Sequence, residues 1–288
     1  MSSIIRRVSF SKQNQPFIEF SDGEAVWQVN PFEQAVSLQF DMSQRFCIGG
    51  YDMETGENYA CPHQATVDEK YEQCVACMKA TGFNPAFYHA TIISEQQRAR
   101  NAEPHLVYLA YFAPGVVKVG ISHAKRGIAR LLEQGARAAV VLLECSSADI
   151  ARSYEAKITG MYGIRDNVQL GKKAELTKDL FDVTQAQQTL VQIIKDLTSD
   201  LRVTFDSEEV QILDSYYFNS APTPDLSRAT DVTTRSVIAG EPIGLLGSIL
   251  YCRYDDHILF LPLKKYVGYV ANEASEPLDL GVQQMTLF

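Results

Sequence analysis

No stretch of this chain approaches the roughly 20 consecutive apolar residues of a membrane-spanning helix, so no membrane partner is expected. The first residues also lack the charged-then-apolar pattern of an export signal, so a cytoplasmic location is expected. Net positive charge is missing as well: 26 Lys and Arg face 35 Asp and Glu, for a net charge of −9. Such a balance excludes a protein that coats nucleic acid with its whole surface, because non-specific binding rests on neutralising phosphates. No internal repeat or low-complexity tract is present. Cysteine is scarce, with six in 288 residues, and a chain of this length suffices for two or three domains with their own cores.

Both the cysteines and the positive charges are unevenly distributed. Cys47, Cys61, Cys74 and Cys77 fall within 31 residues, whereas Cys145 and Cys252 stand alone in apolar surroundings. Four clustered thiols in a cytoplasmic chain point to zinc rather than disulfides. Cys74-Val-Ala-Cys77 has knuckle spacing, since two intervening residues let both sulfurs enter one tetrahedral shell. In Cys61-Pro-His63, His63 is an alternative fourth ligand. Gly49-Gly50, Gly56 and Pro62 describe a loop-rich ribbon that a structural zinc would hold together, with no strand-then-helix context placing Cys74 at a helix start. As for the charges, residues 101–179 carry eleven Lys and Arg against eight Asp and Glu, while residues 180–288 carry seven against fifteen. Lys118, Lys125, Arg126, Arg130 and Arg137 are the densest basic cluster and the candidate nucleic-acid contacts.

Around that cluster the pattern becomes specific. Leu106 to Phe112 and Val116 to Ile121 are β-branched or aromatic runs flanking Pro114-Gly115, which predicts a β-hairpin. Ser122 to Gln134 follows as a predicted helix. The stretch from His105 to Leu170 resembles the GIY-YIG nuclease superfamily. Val107-Tyr108-Leu109 stands where that superfamily has its first tripeptide and Lys118-Val119-Gly120 where it has the second, with Lys118 in place of the second tyrosine. Arg130 matches the superfamily's arginine, with Arg126 a competitor, and Glu155 and Asn167 keep its helix-then-Asn spacing. The resemblance implies a small sheet with helices and metal-dependent phosphodiester cleavage by Tyr108, Lys118, Arg130, Glu155 and Asn167. Glu155 would hold Mg²⁺ or Mn²⁺, a lone carboxylate suiting a metal that keeps its waters. Arg130 would neutralise charge on the non-bridging oxygens, and Tyr108 would orient or deprotonate the attacking water if Lys118 lowered its pKa. The whole chain resembles a bacterial branch of the superfamily carrying an N-terminal four-cysteine module.

An α+β protein is therefore expected, in four parts. Residues 1–100 form a β-rich zinc-ribbon module, 101–200 the GIY-YIG-like domain, 201–282 a small β-barrel-like domain and 283–288 a tail. Leu190, Ile193, Ile194 and Leu197 mark the seam of a helix over 180–201. In the barrel, Tyr251, Tyr254, Phe260 and Tyr266 are candidates for base stacking, although aromatics more often fill a core. Gln284-Met-Thr-Leu-Phe288 resembles the pentapeptide with which bacterial replication and repair proteins dock on the sliding clamp, Gln284 making the polar contact and Leu287 and Phe288 the apolar ones. Two readings follow: a metal-dependent endonuclease acting on nucleic acid, with DNA the expected substrate, in repair or replication, or a nucleic-acid-binding or sliding-clamp adaptor that kept the fold and lost the cleavage.

Overall fold

The computed structural model describes residues 3–83, 93–162, 164, 168–207, 209–219, 222–274, 278 and 280. The chain begins with strands β1 (Ser3–Phe10), β2 (Pro16–Ser21), β3 (Val26–Val29) and β4 (Val36–Asp41). The cysteine segment contributes the two-residue strands β5 (Arg45–Phe46), β6 (Gly50–Tyr51), β7 (Asn58–Tyr59) and β8 (Thr66–Val67), then helix α1 (Val75–Thr81). Next come α2 (Glu95–Asn101), β9 (His105–Ala113), β10 (Val116–His123), α3 (Ala129–Gln134), β11 (Ala138–Cys145), α4 (Ala148–Tyr162), α5 (Leu170–Leu176) and α6 (Val183–Leu201). The last segment holds β12 (Gln211–Ile212), β13 (Thr230–Asp231), β14 (Val237–Leu246), β15 (Ile249–Tyr254), β16 (His257–Pro262) and β17 (Val270–Glu273).

The expected hairpin forms as β9 and β10. β11 pairs antiparallel with the other edge of β9, and β12 completes a four-stranded sheet in the order β10-β9-β11-β12. β9 is buried on both faces, which is why it reads as a continuous apolar run rather than an alternating one. Strand periodicity divides its side chains between two cores. Val107, Leu109 and Tyr111 meet Ala151 and Ile158 of α4 and the Leu190, Ile194 and Leu197 seam of α6. Tyr108, Ala110 and Phe112 face the opposite core, which includes Leu131 and Leu132 of α3 and the strands of the larger sheet.

That larger sheet has nine strands in the order β13-β16-β15-β14-β4-β17-β1-β2-β3. The expected C-terminal barrel is thus corrected: β14 hydrogen-bonds to β4, and β17 lies between β4 and β1, so N- and C-terminal strands share one sheet and no barrel closes among the described residues. Alternation along a strand reports which face is buried but not which distant strand is its neighbour. Tyr251, Phe260 and Tyr266 are buried in the core and Tyr254 packs against it, so the base-stacking expectation is withdrawn for the three buried rings.

The helix expected from Ser122 to Gln134 is also shorter. Ser122 and His123 finish β10, a 3-10 turn covers Ala124–Arg126, and Gly127 takes φ +51, a conformation that ends the turn before α3 begins. No helix among the described residues is long and apolar enough to cross a membrane.

Candidate functional site

Two chemically distinct centres stand out, and the first is the cysteine cluster. Cys47 follows β5, Cys61 lies between β7 and β8, Cys74 caps α1 and Cys77 sits in its first turn. All four sulfurs lie within 4.8 Å of one another, and those of Cys61 and Cys74 are 4.0 Å apart. A tetrahedral zinc with bonds of about 2.3 Å spaces its sulfurs by roughly 3.8 Å, so the set can hold a metal ion such as zinc. Backbone N–H groups of Gly49 and Cys74 point at the Cys47 sulfur at 3.4 and 3.1 Å, and that of Cys77 at the Cys74 sulfur at 3.5 Å, all favouring thiolates. Burial pushes the Cys47 and Cys77 thiols up, a cost that a bound cation offsets by displacing the protons. His63 is exposed and outside the set. Contrary to the sequence reading, Cys74 does begin a helix: its side chain supplies the N-cap.

Arginines fasten this module to the sheet. Buried Arg6 of β1 donates to Gly50 O at 3.1 Å, Tyr59 O at 3.0 Å and Ile48 O, and pairs with Glu19 at 2.9 Å. Arg45 donates to Val267 O at 2.9 Å. The loops around the cysteines are thereby held by charge-assisted bonds to their carbonyls.

The second centre is a cationic groove where α3, β10 and α5 meet the larger sheet. A cavity of about 450 Å³ is lined by Lys118, Arg130, Glu133, Gln134, Lys173, Lys264 and Lys265, with Leu246 and Ile249 in its apolar wall. A second cavity of about 220 Å³ shares Arg130, Glu133, Ser248 and Lys264 with the first and adds Arg6, Arg7 and Arg126. Glu133 accepts from Arg126, from Arg130 at 3.5 Å and from Ser9. Burial raises its pKa, but the two arginines and the hydroxyl outweigh that and hold it below the usual carboxylate range.

Beneath this groove, Tyr108 is 2 % exposed and its hydroxyl accepts a hydrogen bond from Gln134 Nε2 at 2.6 Å. A Cβ added at Gly120, its partner on β10, would lie 2.6 Å from that hydroxyl, so only glycine leaves the phenol room there. Burial raises the Tyr108 pKa; Arg130 and Gln134 oppose the rise and Glu155 reinforces it. Arg130 and Glu155 therefore both act on this phenol, but the expected lowering of its pKa is corrected, and Tyr108 stays protonated. Glu155 lies on α4 with its side chain 18 % exposed and Arg152 at 3.8 Å. Among the described residues, the four cysteines are the one group of three or more side chains able to hold a metal, and Glu155 is not part of such a group.

The other expected contacts divide. Lys118, Arg126 and Arg130 line the groove. Lys125 lines neither cavity and is bound by Glu103 at 2.6 Å. Arg137 is removed from the nucleic-acid set, because it is buried with Asp214, at 2.9 and 2.7 Å, beneath the Phe181 ring. Asn167, Gln284, Leu287 and Phe288 lie outside the described residues. Sequence reasoning missed Arg7, Lys173, Lys264 and Lys265. A signal existed: adjacent cations occur at Arg6-Arg7, Lys125-Arg126, Lys172-Lys173 and Lys264-Lys265, and each pair sends at least one member into the groove.

The profile of the family described as "Protein of unknown function (DUF2797)" matches residues 34–271. The chain belongs to that family. The matched span includes all four clustered cysteines and every groove cation from Lys118 to Lys265, while Arg6 and Arg7 precede it. Neither the curated proteins nor the solved structures contain a match to the chain.

Proposed function

We propose that this chain is a nucleic-acid-processing protein of divergent GIY-YIG type, binding a phosphodiester backbone along the cationic groove and hydrolysing it beside Arg130 and Glu155. The carrying observation is that Lys118 and Arg130 line one cationic cavity with Gln134, whose amide donates to the Tyr108 hydroxyl at 2.6 Å. The order hairpin, α3, third strand beside the first, then the Glu155-bearing α4 supports the same reading. Arg130 neutralises the non-bridging oxygens, Lys118 holds the backbone at the groove wall, and Tyr108, being protonated, orients groups without accepting a proton. Glu155 would hold a divalent ion, which when bound would supply charge stabilisation and an activated water.

Glu155→Gln is expected to lower cleavage of branched, nicked or single-stranded substrates in Mg²⁺ or Mn²⁺ by at least about a hundredfold, on the scale of losing a transition-state stabiliser. Binding, measured by anisotropy, should stay within a few-fold. Wild-type protein that binds these substrates but cuts none of them ends the nuclease reading. The adaptor reading then stands, and the burial of Tyr108 already favours it by removing the phenol as a base.

The tail extends the proposal to recruitment by a bacterial sliding clamp. Deleting Leu287 and Phe288 is expected to abolish clamp capture while leaving the melting temperature unchanged, since two apolar anchors supply most of the affinity of a short peptide. Capture that survives the deletion, or a truncated chain that unfolds, excludes this role.

A further inference from the structure

Nothing in the proposed cleavage requires Lys173, yet this side chain is built into the floor of the larger cavity. Its ammonium donates to Gln134 O at 2.6 Å and lies 5.2 Å from the centre of the Phe112 ring. Lys118 of β10, Arg130 of α3 and Lys264 from the turn after β16 all face it closely enough to repel its charge. Lys265 lines the same cavity, and the one carboxylate lining it among the described residues, Glu133, is engaged by two arginines and a serine. The cations thus come from four separate elements, β10, α3, α5 and the turn after β16, and converge on one cavity. An independent sign of a missing ligand is Gln134, which lines the cavity and is 6 % exposed, yet whose carboxamide oxygen has no hydrogen-bond partner among the described residues. Turning that amide over would keep its bond to Tyr108, with the phenol now donating, and would free the NH₂ for an anion.

We propose that this cavity is a phosphomonoester site for a nucleotide, with Lys118, Arg130, Lys173 and Lys264 gripping the phosphate and Leu246 and Ile249 backing the nucleoside. The inference rests on the nucleic-acid reading above and names its ligand. A backbone diester carries a single negative charge, whereas a phosphomonoester carries about −1.5 to −2 at neutral pH and offers three terminal oxygens, which better matches several convergent cations. The volume of about 450 Å³ falls in the range of small-molecule sites, roughly 300–1,000 Å³. Free mononucleotides and the phosphorylated end of a strand share this chemistry. Burial, followed by the neighbouring cations, lowers the Lys173 pKa to about 8, so its contribution to anion binding is present at neutral pH and fades as pH rises through that value.

The test measures binding of adenosine, adenosine 5′-monophosphate, and one short single-stranded oligonucleotide with 5′-phosphate, 3′-phosphate or hydroxyl ends to the full chain. A phosphorylated ligand should bind about tenfold or more tightly than its hydroxyl counterpart, a difference of about 1.4 kcal/mol. Lys173→Met and the surface change Lys264→Gln should each erase that preference, Lys12→Gln should keep it, and wild-type affinity should fall between pH 7 and 9. Tight binding of the free mononucleotide assigns the site to nucleotides, and preference confined to the oligonucleotide assigns it to strand ends. Equal affinity for phosphate and hydroxyl forms, or a preference that survives both lysine changes, overturns the proposal. Glu155→Gln separates the two claims, because it should remove cleavage and leave the terminal-phosphate preference intact.

Discussion

Replacing Cys74 with serine is expected to release one zinc per chain and to unfold the segment around residues 47–82. Cys74 contributes twice, as a sulfur of the cluster and as the N-cap of α1; serine can still cap the helix, so the substitution isolates the loss of the ligand. The free energy at stake is large, because structural zinc in small finger peptides binds with about 10–16 kcal/mol that doubles as folding energy. Arg6 and Arg45 carry the damage further, since Arg6 holds the Gly50 and Tyr59 carbonyls and Arg45 the Val267 carbonyl across the junction between module and sheet. Elemental analysis should find zinc in wild-type protein purified under reducing conditions and none in Cys74→Ser. The variant should also melt at lower temperature and be cut by protease within 47–82. Wild-type protein without metal, together with an unchanged melting temperature in the variant, would exclude a structural metal centre.

Asp214→Ala is expected to cost about 3–5 kcal/mol, the usual consequence of leaving one member of a buried ion pair uncompensated. Both side chains are enclosed, and the guanidinium is fixed by the carboxylate, by Asp179 O at 3.0 Å and by the Phe181 face. The pair joins the start of β11 to the segment after β12, so chemical denaturation should show a lower midpoint for the whole molecule. Arg137→Met combined with Asp214→Leu should recover part of the loss, because no buried charge is then left unpaired. A single-variant cost below about 1 kcal/mol, the range of exposed pairs, would mean that water reaches this pair.

The divided fate of the basic residues shows how far a linear reading reaches. Lys118, Arg126 and Arg130 were legible as a cluster because they are close in sequence and sit on one hairpin-helix unit. Arg137 belongs to the same run of charge, but the backbone carries it past α3 into the interior, where a carboxylate 77 positions away meets it. Lys173 and Lys264 reach the cavity from α5 and from the turn after β16, so their proximity is a property of packing between sheets. Tyr108 makes the same point for chemistry. Its place on a strand could be read, whereas its burial, and the rise in pKa that burial causes, depend on Gly120 leaving it room and on the packing around it.

By itself the sequence determined the local elements and the chemistry they carry: the hairpin across Pro114-Gly115, the apolar seam of α6 and the four thiols at knuckle-like spacing. These follow from turn residues, side-chain periodicity and spacing, interactions that act within a few residues of one another. Only the tertiary structure decided that β17 enters between β1 and β4, that no barrel closes, that Arg137 is buried while Lys173 lines a cavity, and that His63 stays outside the metal set. Each of these depends on partners tens to hundreds of positions apart, chosen by complementary surfaces and by the cost of leaving a buried polar group unpaired, and neither quantity exists until the chain has folded.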